Sequence, residues 1–389
     1  MNMANTERFR RIERLALAVA GIGLVAALLL GWIRPHAWLP AWRLAAFACL
    51  QPALGSLIFI LIYRLAGGQW MEGLAPFLLS GVRLLPWVWL AVMPLLLFPA
   101  APPPRDAPAR ASDVSAGRGA AAALSQTFAT SPERSMGAPL RTYFQKPLMA
   151  ARAAFYACAF FLLAAGARSA MRDRTRTTMR WFGPLGLISL VFMLHLLTTD
   201  WIVILEPGWY STGFPLVWTA AQAISGLAAA ICAAIVFGAK PAEKGPTGQP
   251  RGIDWGNLLL ASVMAWMYVA FVQFLIIWSG DLPGEISWYA HRTRGAWEWI
   301  AIALVCVDFG APFFLLLSRV NKRSRRALGL IAAVLVLGQT GYCAWIIAPA
   351  FPNRDAASLA LEAALVLAAG AVFLNRYIAG ARGAALAQP

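Results

Sequence analysis

Ten apolar runs recur along this chain, at approximately 15 to 33, 44 to 63, 81 to 99, 148 to 167, 182 to 200, 212 to 238, 257 to 278, 297 to 318, 327 to 349 and 356 to 376. A run of about twenty residues, as a helix, crosses the ~30 Å hydrocarbon layer of a bilayer, so runs of this kind leave few folds open. With 60% of residues hydrophobic and only 13% charged, a soluble domain is excluded. Lipid offers no hydrogen bonds to exposed backbone, and no run shows the strict alternation of a barrel strand, so every run is expected to be a helix. The expected fold class is an all-α polytopic membrane protein: residues 1–99 hold spans one to three, 100–147 form a Pro/Ala-rich loop, and 148–389 hold spans four to ten.

The first run follows ERFRRIER and imitates a signal peptide. Its apolar part is too long for one and lacks a small-x-small cleavage site, so it is read as a retained span. Orientation follows from the basic residues. Of the 33, 21 fall on the side of the amino terminus, 11 on the other side, and Arg152 within a span. The positive-inside rule then places both termini in the cytoplasm. The net charge of +16 sits in short clusters flanking spans, such as RDRTRTTMR and RVNKRSRR, and reads as a topology signal and not as a nucleic-acid surface. On this topology the loop 100–147 is external, without helical or strand periodicity, and serves as a tether or a docking segment.

Absent motifs narrow the function. Protein-held membrane haem commonly needs paired axial His, yet only His195 lies in a span, with His36 and His291 in outer loops. Five cysteines are scattered one to a helix without CxxC or cluster spacing, and no phosphate loop, dinucleotide fingerprint or zinc motif occurs. No haem, iron-sulfur cluster or metal is expected in this chain.

Polar residues inside the membrane are costly and therefore informative. Asp308, in WIAIALVCVDFGAPFF, lies near the midplane of the eighth run and has to be neutral, paired or hydrated. It is either a packing carboxyl or a proton relay. His195 is a relay or headgroup ligand, or else a core histidine bonded to a carbonyl. Arg152 either snorkels to the surface or pairs with an outer carboxylate among Asp200, Glu206, Asp281 and Glu285. Gln273, Tyr268 and Glu362 read as structural from their position alone. The stretch TTDWIVILEPGWYST, 198 to 212, is the most pointed case, because Asp200 and Glu206 stand in it with no Lys or Arg between Arg180 and Lys240. Its aromatic residues, and Trp288 beyond it, also suit an interfacial belt.

DWIVILEPGWYSTGFPLVW resembles a signature of the second NrfD-like, quinone-binding subunit (the ActF type) of alternative complex III, a quinol:cytochrome c oxidoreductase. YVAFVQFLIIWSGDLPGEISWYAHRTRGAW and PFFLLLSRVNKR are similar to two further family motifs, and TYFQKPLMAAR is a weaker match, so the likeness covers most of residues 140 to 350. Two positions depart from the pattern: Asp308 stands where the family carries a His followed by Phe, and Gly284 where many relatives have a second acid.

The resemblance implies a pair of four-helix bundles with flanking helices, in a bacterial inner membrane, and a non-covalently bound quinone or quinol. It implies as partners a second NrfD-like membrane subunit, a periplasmic iron-sulfur protein, a multihaem cytochrome c and membrane lipid. From membrane position and resemblance together, the candidate residues are Arg152, Gln273, Trp278, Glu285, Trp288, Tyr289 and Arg292 for quinone, Asp308, His195 and Asp200 for proton handling, and Glu206, Trp209 and Tyr210 for an outer mouth. The pocket is expected in the outer half of the bilayer, among Arg152, His195, Asp200 and the 273 to 292 segment. A purely structural membrane anchor and a secondary transporter stay open as alternatives. The concentration of the motifs at one face argues against alternating access.

Overall fold

A computed structural model describes residues 3–71, 73–97, 146–172, 181–206, 209–245, 248–351 and 354–386. Residues 100–145 of the Pro/Ala-rich loop lie outside them. Among the described residues ten helices are long and apolar enough to span a bilayer, and the chain is an all-α, multi-pass membrane protein. They are α1 (Met3–Ile33), α2 (Trp38–Ala66), α3 (Ala75–Val92), α4 (Lys146–Arg172), α5 (Phe182–Trp201), α6 (Phe214–Val236), α7 (Arg251–Gly280), α8 (Ala296–Leu317), α9 (Arg325–Ile347) and α10 (Ala356–Leu386).

The third span begins earlier than the apolar run suggested, at Ala75 and not at 81, and ends at Val92, just before Pro94. Arg83, a charged residue inside the helix, is accommodated because its guanidinium reaches the Gly380 carbonyl, 3.1 Å away on α10.

The centre of the molecule is α2, which packs against α3, α5, α6 and α10 and has 89% of its apolar window buried. Lipid is as apolar as Leu, so helices in a membrane gain most from close backbone approach over small residues. Gly55 on α2 meets Gly226 on α6 in this way: a Cβ on either would run into the other helix's backbone. At the periphery α7 and α8 bury only 22% and 17% of their windows.

Side-chain contacts group several helix ends on two faces. On the termini face, Phe9 stacks on Phe237 at 3.8 Å, Arg382 reaches Glu13 at 3.2 Å, and Trp255 donates to the Trp70 carbonyl at 3.1 Å. On the opposite face, Arg34 pairs with Asp355 at 2.6 Å, and Arg354 pairs with Glu362. The α1 and α10 contacts put both termini on one side, as ten alternating crossings require.

Candidate functional site

The two carboxylates of 198 to 212 are not uncompensated: their cations arrive from distant sequence. Asp200 at the end of α5 is 3% exposed and accepts from Arg152 Nε at 2.9 Å and Nη2 at 3.1 Å, and from the Tyr156 hydroxyl at 2.7 Å. This two-pronged pair ties α4 to α5. Of the two readings of Arg152, pairing is the one found.

Glu206 is also buried. Its Oε1 lies 2.7 Å from His291 Nδ1, and its Oε2 is 3.4 Å from Arg292 Nη1. Both partners come from a short helix, Pro283–Arg292, that crosses the face opposite the termini. The local sequence explains that helix. Asp281 ends α7 in the left-handed region (φ 48°), Pro283 occupies the first helical turn, Glu285 sits near the amino end, and His291 and Arg292 near the carboxyl end. Those charges suit the helix dipole.

Arg292, 1% exposed, holds this corner together. It donates from Nη2 to the Ile346 carbonyl at 2.7 Å and from Nη1 to the Trp288 carbonyl at 3.0 Å, and its guanidinium lies 4.1 Å from the Trp288 ring centroid. Trp345 Nε1 donates to the Arg292 carbonyl at 3.1 Å, and Trp209 Nε1 to the Glu285 carbonyl at 3.1 Å. The EPGWYST and EISWYAHR motifs are therefore two halves of one polar and aromatic junction.

Beneath this junction lies a cavity of about 390 Å³. Its walls are Phe214 and Val217 of α6, Trp266, Met267, Ala270, Phe271, Gln273 and Phe274 of α7, and Ala301, Ile302, Leu304, Val305 and Cys306 of α8. Tyr342 and Trp345 of α9 complete the walls, and Trp288, Tyr289 and Thr293 form the roof. Phe271, Ile302, Val305 and Cys306 are also exposed on the outer surface of the helices, so the cavity opens sideways toward lipid between α7 and α8. A chain of ring contacts crosses it: Trp209 to Trp288 at 5.1 Å, Trp288 to Trp345 at 5.4 Å, Trp345 to Tyr342 at 6.0 Å and Tyr342 to Trp266 at 5.2 Å.

Polar groups on the walls are few. Gln273 is 7% exposed, and its Oε1 has no hydrogen-bond partner among the described residues. At ~1.5 Å per residue it lies about 10 Å below the outer end of α7. Burial raises the Tyr289 phenol above its ordinary range, against the opposing pull of Arg292, so it is available as a hydrogen-bond donor.

Asp308 lies just below this wall. It is fully buried, and both carboxylate oxygens lack a partner among the described residues. Residues Val305–Gly310 form a π-helical stretch inside α8, where the Ala311 N–H bonds the Cys306 carbonyl five residues back. Pro312 accounts for it. It has no N–H to offer the Asp308 carbonyl four residues earlier, and its ring crowds that carbonyl, so the helix takes an extra residue into the turn. The widened turn points Asp308 at α9, where Oδ1 occupies the space a Cβ on Gly338 would need. Next to Gly338, both side-chain polar atoms of buried Gln339 also lack a partner among the described residues.

The expected pocket residues thus divide. Gln273, Trp288 and Tyr289 line the cavity, and Asp308 lies close beneath it. Arg152, His195 and Asp200 do not line it, because the Arg152–Asp200 pair joins α4 to α5 while the cavity lies among α6 to α9. Arg292 does not line it either; it braces Trp288 from behind. Glu285 contributes its carbonyl to Trp209. Trp278 is 67% exposed on the outer side of α7, and Tyr210 is half-exposed beside Trp209. At Gly284 a side chain would meet open space, so the missing acid leaves no packing defect.

Sequence reading did not single out Phe214, Trp266, Tyr342, Trp345 or Gly338. The available signal was helical spacing: Trp266, Ala270 and Gln273 share one face of α7, and Gly338, Tyr342 and Trp345 one face of α9. Among the described residues no three His, Cys, Asp or Glu side chains gather as a metal-ligand set. No protein-family model matches the chain, and no curated protein matches its sequence.

Proposed function

We propose that this chain is a quinone-binding membrane subunit of a quinol:electron-acceptor oxidoreductase of the alternative complex III type. In this reading it lies in a bacterial inner membrane with both termini cytoplasmic. It pairs with a second NrfD-like subunit and carries a periplasmic iron-sulfur protein and a multihaem cytochrome on its outer face. The observation that carries the reading is the cavity. Its volume falls within the range of small-molecule sites, its walls are aromatic and aliphatic with a few polar groups, and its mouth faces lipid, where isoprenoid quinones dissolve.

The chemistry of the walls fits a quinol. The orphan Oε1 of Gln273 can accept from a quinol hydroxyl, and the protonated Tyr289 phenol can donate to a quinone carbonyl. The aromatic rings offer faces for stacking. Oxidation of a quinol releases two electrons and two protons. Asp308, two residues beyond the wall residue Cys306, is a carboxyl placed to take a proton. An open cavity is also what a purely structural anchor has no use for.

The test is a titration of the purified full chain in nanodiscs with a short-chain quinone analogue, read by quenching of tryptophan fluorescence. Binding is expected to saturate and to weaken at least tenfold in Trp288→Leu, whereas Trp278→Leu leaves it unchanged. Equal affinity in both variants, or no saturable quenching, overturns the reading. Orientation is tested separately by cysteine labelling of intact cells. Tyr210→Cys is expected to react with an impermeant reagent and Lys244→Cys to be protected, and the reverse pattern inverts the topology.

A further inference from the structure

Glu206 does not line the cavity, yet both of its partners belong to the helix Pro283–Arg292, which carries the roof rings Trp288 and Tyr289. That helix is continuous with neither of its neighbours. Asp281 turns the chain left-handed at the end of α7 (φ 48°) and Leu282 is extended, while Gly295 precedes α8 at φ 61°. A Cβ on Gly284 or Gly295 would meet open space. With the helical backbone broken at each end, the height of the roof over the cavity is set by side-chain fastenings, and breaks of this kind are where a chain absorbs a hinge motion.

Two residues of the α5–α6 connection fasten it. Trp209 Nε1 donates to the Glu285 carbonyl at 3.1 Å, near the amino end, and its ring stacks on Trp288 with centroids 5.1 Å apart and planes at 21°. Glu206 takes the carboxyl end, through His291 Nδ1 at 2.7 Å and Arg292 Nη1 at 3.4 Å. Arg292 carries the effect to the roof: the same Nη1 donates to the Trp288 carbonyl at 3.0 Å, and the guanidinium lies 4.1 Å from the Trp288 ring centroid. The Glu206 and Arg292 side chains are each 1% exposed. Neutralising the carboxylate beside so deeply buried an arginine strands part of its charge, and the strain is relieved by moving the guanidinium toward water. Trp288, tied to that guanidinium by its carbonyl and by its ring face, moves with it, and so does Tyr289, whose ring lies 4.9 Å from that of Trp288.

We infer that Glu206 is a positioning residue for the ligand of the cavity: by latching the helix Pro283–Arg292 it holds Trp288 and Tyr289 against the α7 and α9 walls, at the spacing that grips a planar ring. The role rests on the reading of the cavity as a quinone site. Phe274 of α7 meets the Tyr289 ring at 5.3 Å, and Trp345 of α9 meets the Trp288 ring at 5.4 Å, so a small displacement of the roof opens contacts on both walls. The acid of EPGWYST thereby differs in kind from Asp200. The Arg152–Asp200 pair joins two spanning helices, whereas Glu206 fastens a roof and acts on the ligand without touching it.

The experiment titrates the purified full chain in nanodiscs with a short-chain quinone analogue, read by tryptophan quenching, and follows hydrogen exchange of residues 283–292 in the same samples. Glu206→Gln is expected to weaken binding by about tenfold or more and to speed exchange in that segment. His291→Ala removes the partner at the exposed edge and leaves Arg292 in place, so it should weaken binding by about threefold; it carries the test if Glu206→Gln does not fold. Glu362→Gln, which alters a buried carboxylate paired with Arg354 on the same face, should change neither reading. In a Trp288→Leu background Glu206→Gln should cost little further affinity, because Glu206 acts through that ring. The full loss in that background, unchanged affinity in the latch variants, or weaker binding without faster exchange in 283–292 overturns the role while the cavity keeps its ligand. A wild-type chain that binds no analogue overturns the reading of the cavity, and the role with it.

Discussion

Asp308→Leu should make this protein more stable while removing the group best placed to move a proton. Both carboxylate oxygens are buried without partners among the described residues, and a buried acceptor left unmade costs about 1–3 kcal/mol. Leucine is close to isosteric and removes two such acceptors, a relief of about 2–6 kcal/mol. Against this stands the tight seat on Gly338, where a methyl is bulkier than an oxygen, and overpacking of that kind costs about 1–3 kcal/mol. The net expectation is a gain of roughly 1–3 kcal/mol, measured as resistance to denaturing detergent or to heat in nanodiscs. Asp308→Asn keeps the polar atoms and should differ little from the wild type in stability. If Asp308→Leu is less stable than the wild type, the carboxyl has a partner in the membrane and the reasoning from orphan oxygens fails. Function should move the other way. In the assembled complex, Asp308→Asn is expected to assemble normally and lose proton-coupled turnover, with Asp308→Leu equally inactive. Normal turnover and proton release by Asp308→Asn in reconstituted vesicles would show the residue to be structural.

Arg152→Met strands the buried Asp200 carboxylate and should cost about 3–5 kcal/mol, whereas Arg152→Met/Asp200→Leu should cost less than the single change; thermal unfolding of the two variants decides it. Gly338→Ala should destabilise by about 1–3 kcal/mol through collision with Asp308, and Asp308→Ala in the same chain should restore most of the loss. A double-mutant cycle that shows simple additivity would separate the two residues. Asp355 caps α10: its Oδ1 accepts from the Ser358 N–H at 2.9 Å and from the Ser358 hydroxyl at 2.7 Å, and these bonds, with Arg34, hold its carboxyl below the usual range. Its stabilising effect is therefore complete above about pH 4, the value of a free Asp, and is lost as pH falls through the lowered folded value. Acid unfolding should accordingly show a smaller loss of stability in Asp355→Asn than in the wild type over that window.

Much of the architecture was legible because the bilayer imposes a length and a backbone rule that any sequence has to obey. The ten runs locate ten helices. The ends were less legible where a polar residue sits inside a helix. The third span starts at Ala75, earlier than its apolar run, and Arg83 inside it is held by the α10 carbonyl; a run of residues carries no record of a partner about three hundred positions away. The site shows the same division. Sequence alone identifies Asp200, Glu206, Arg152 and Asp308 as residues that need an explanation in a membrane, because each carries a charge or a proton that lipid cannot solvate. Only the fold decides that Arg152 answers Asp200, that His291 and Arg292 answer Glu206, and that Asp308 is left against Gly338 with no cation among the described residues. Pairing is a matter of which helices touch. Side chains as unremarkable in sequence as Trp266, Tyr342 and Trp345 become cavity walls only because α7, α8 and α9 enclose a space between them, and that space belongs to the packing of several helices and to no single one.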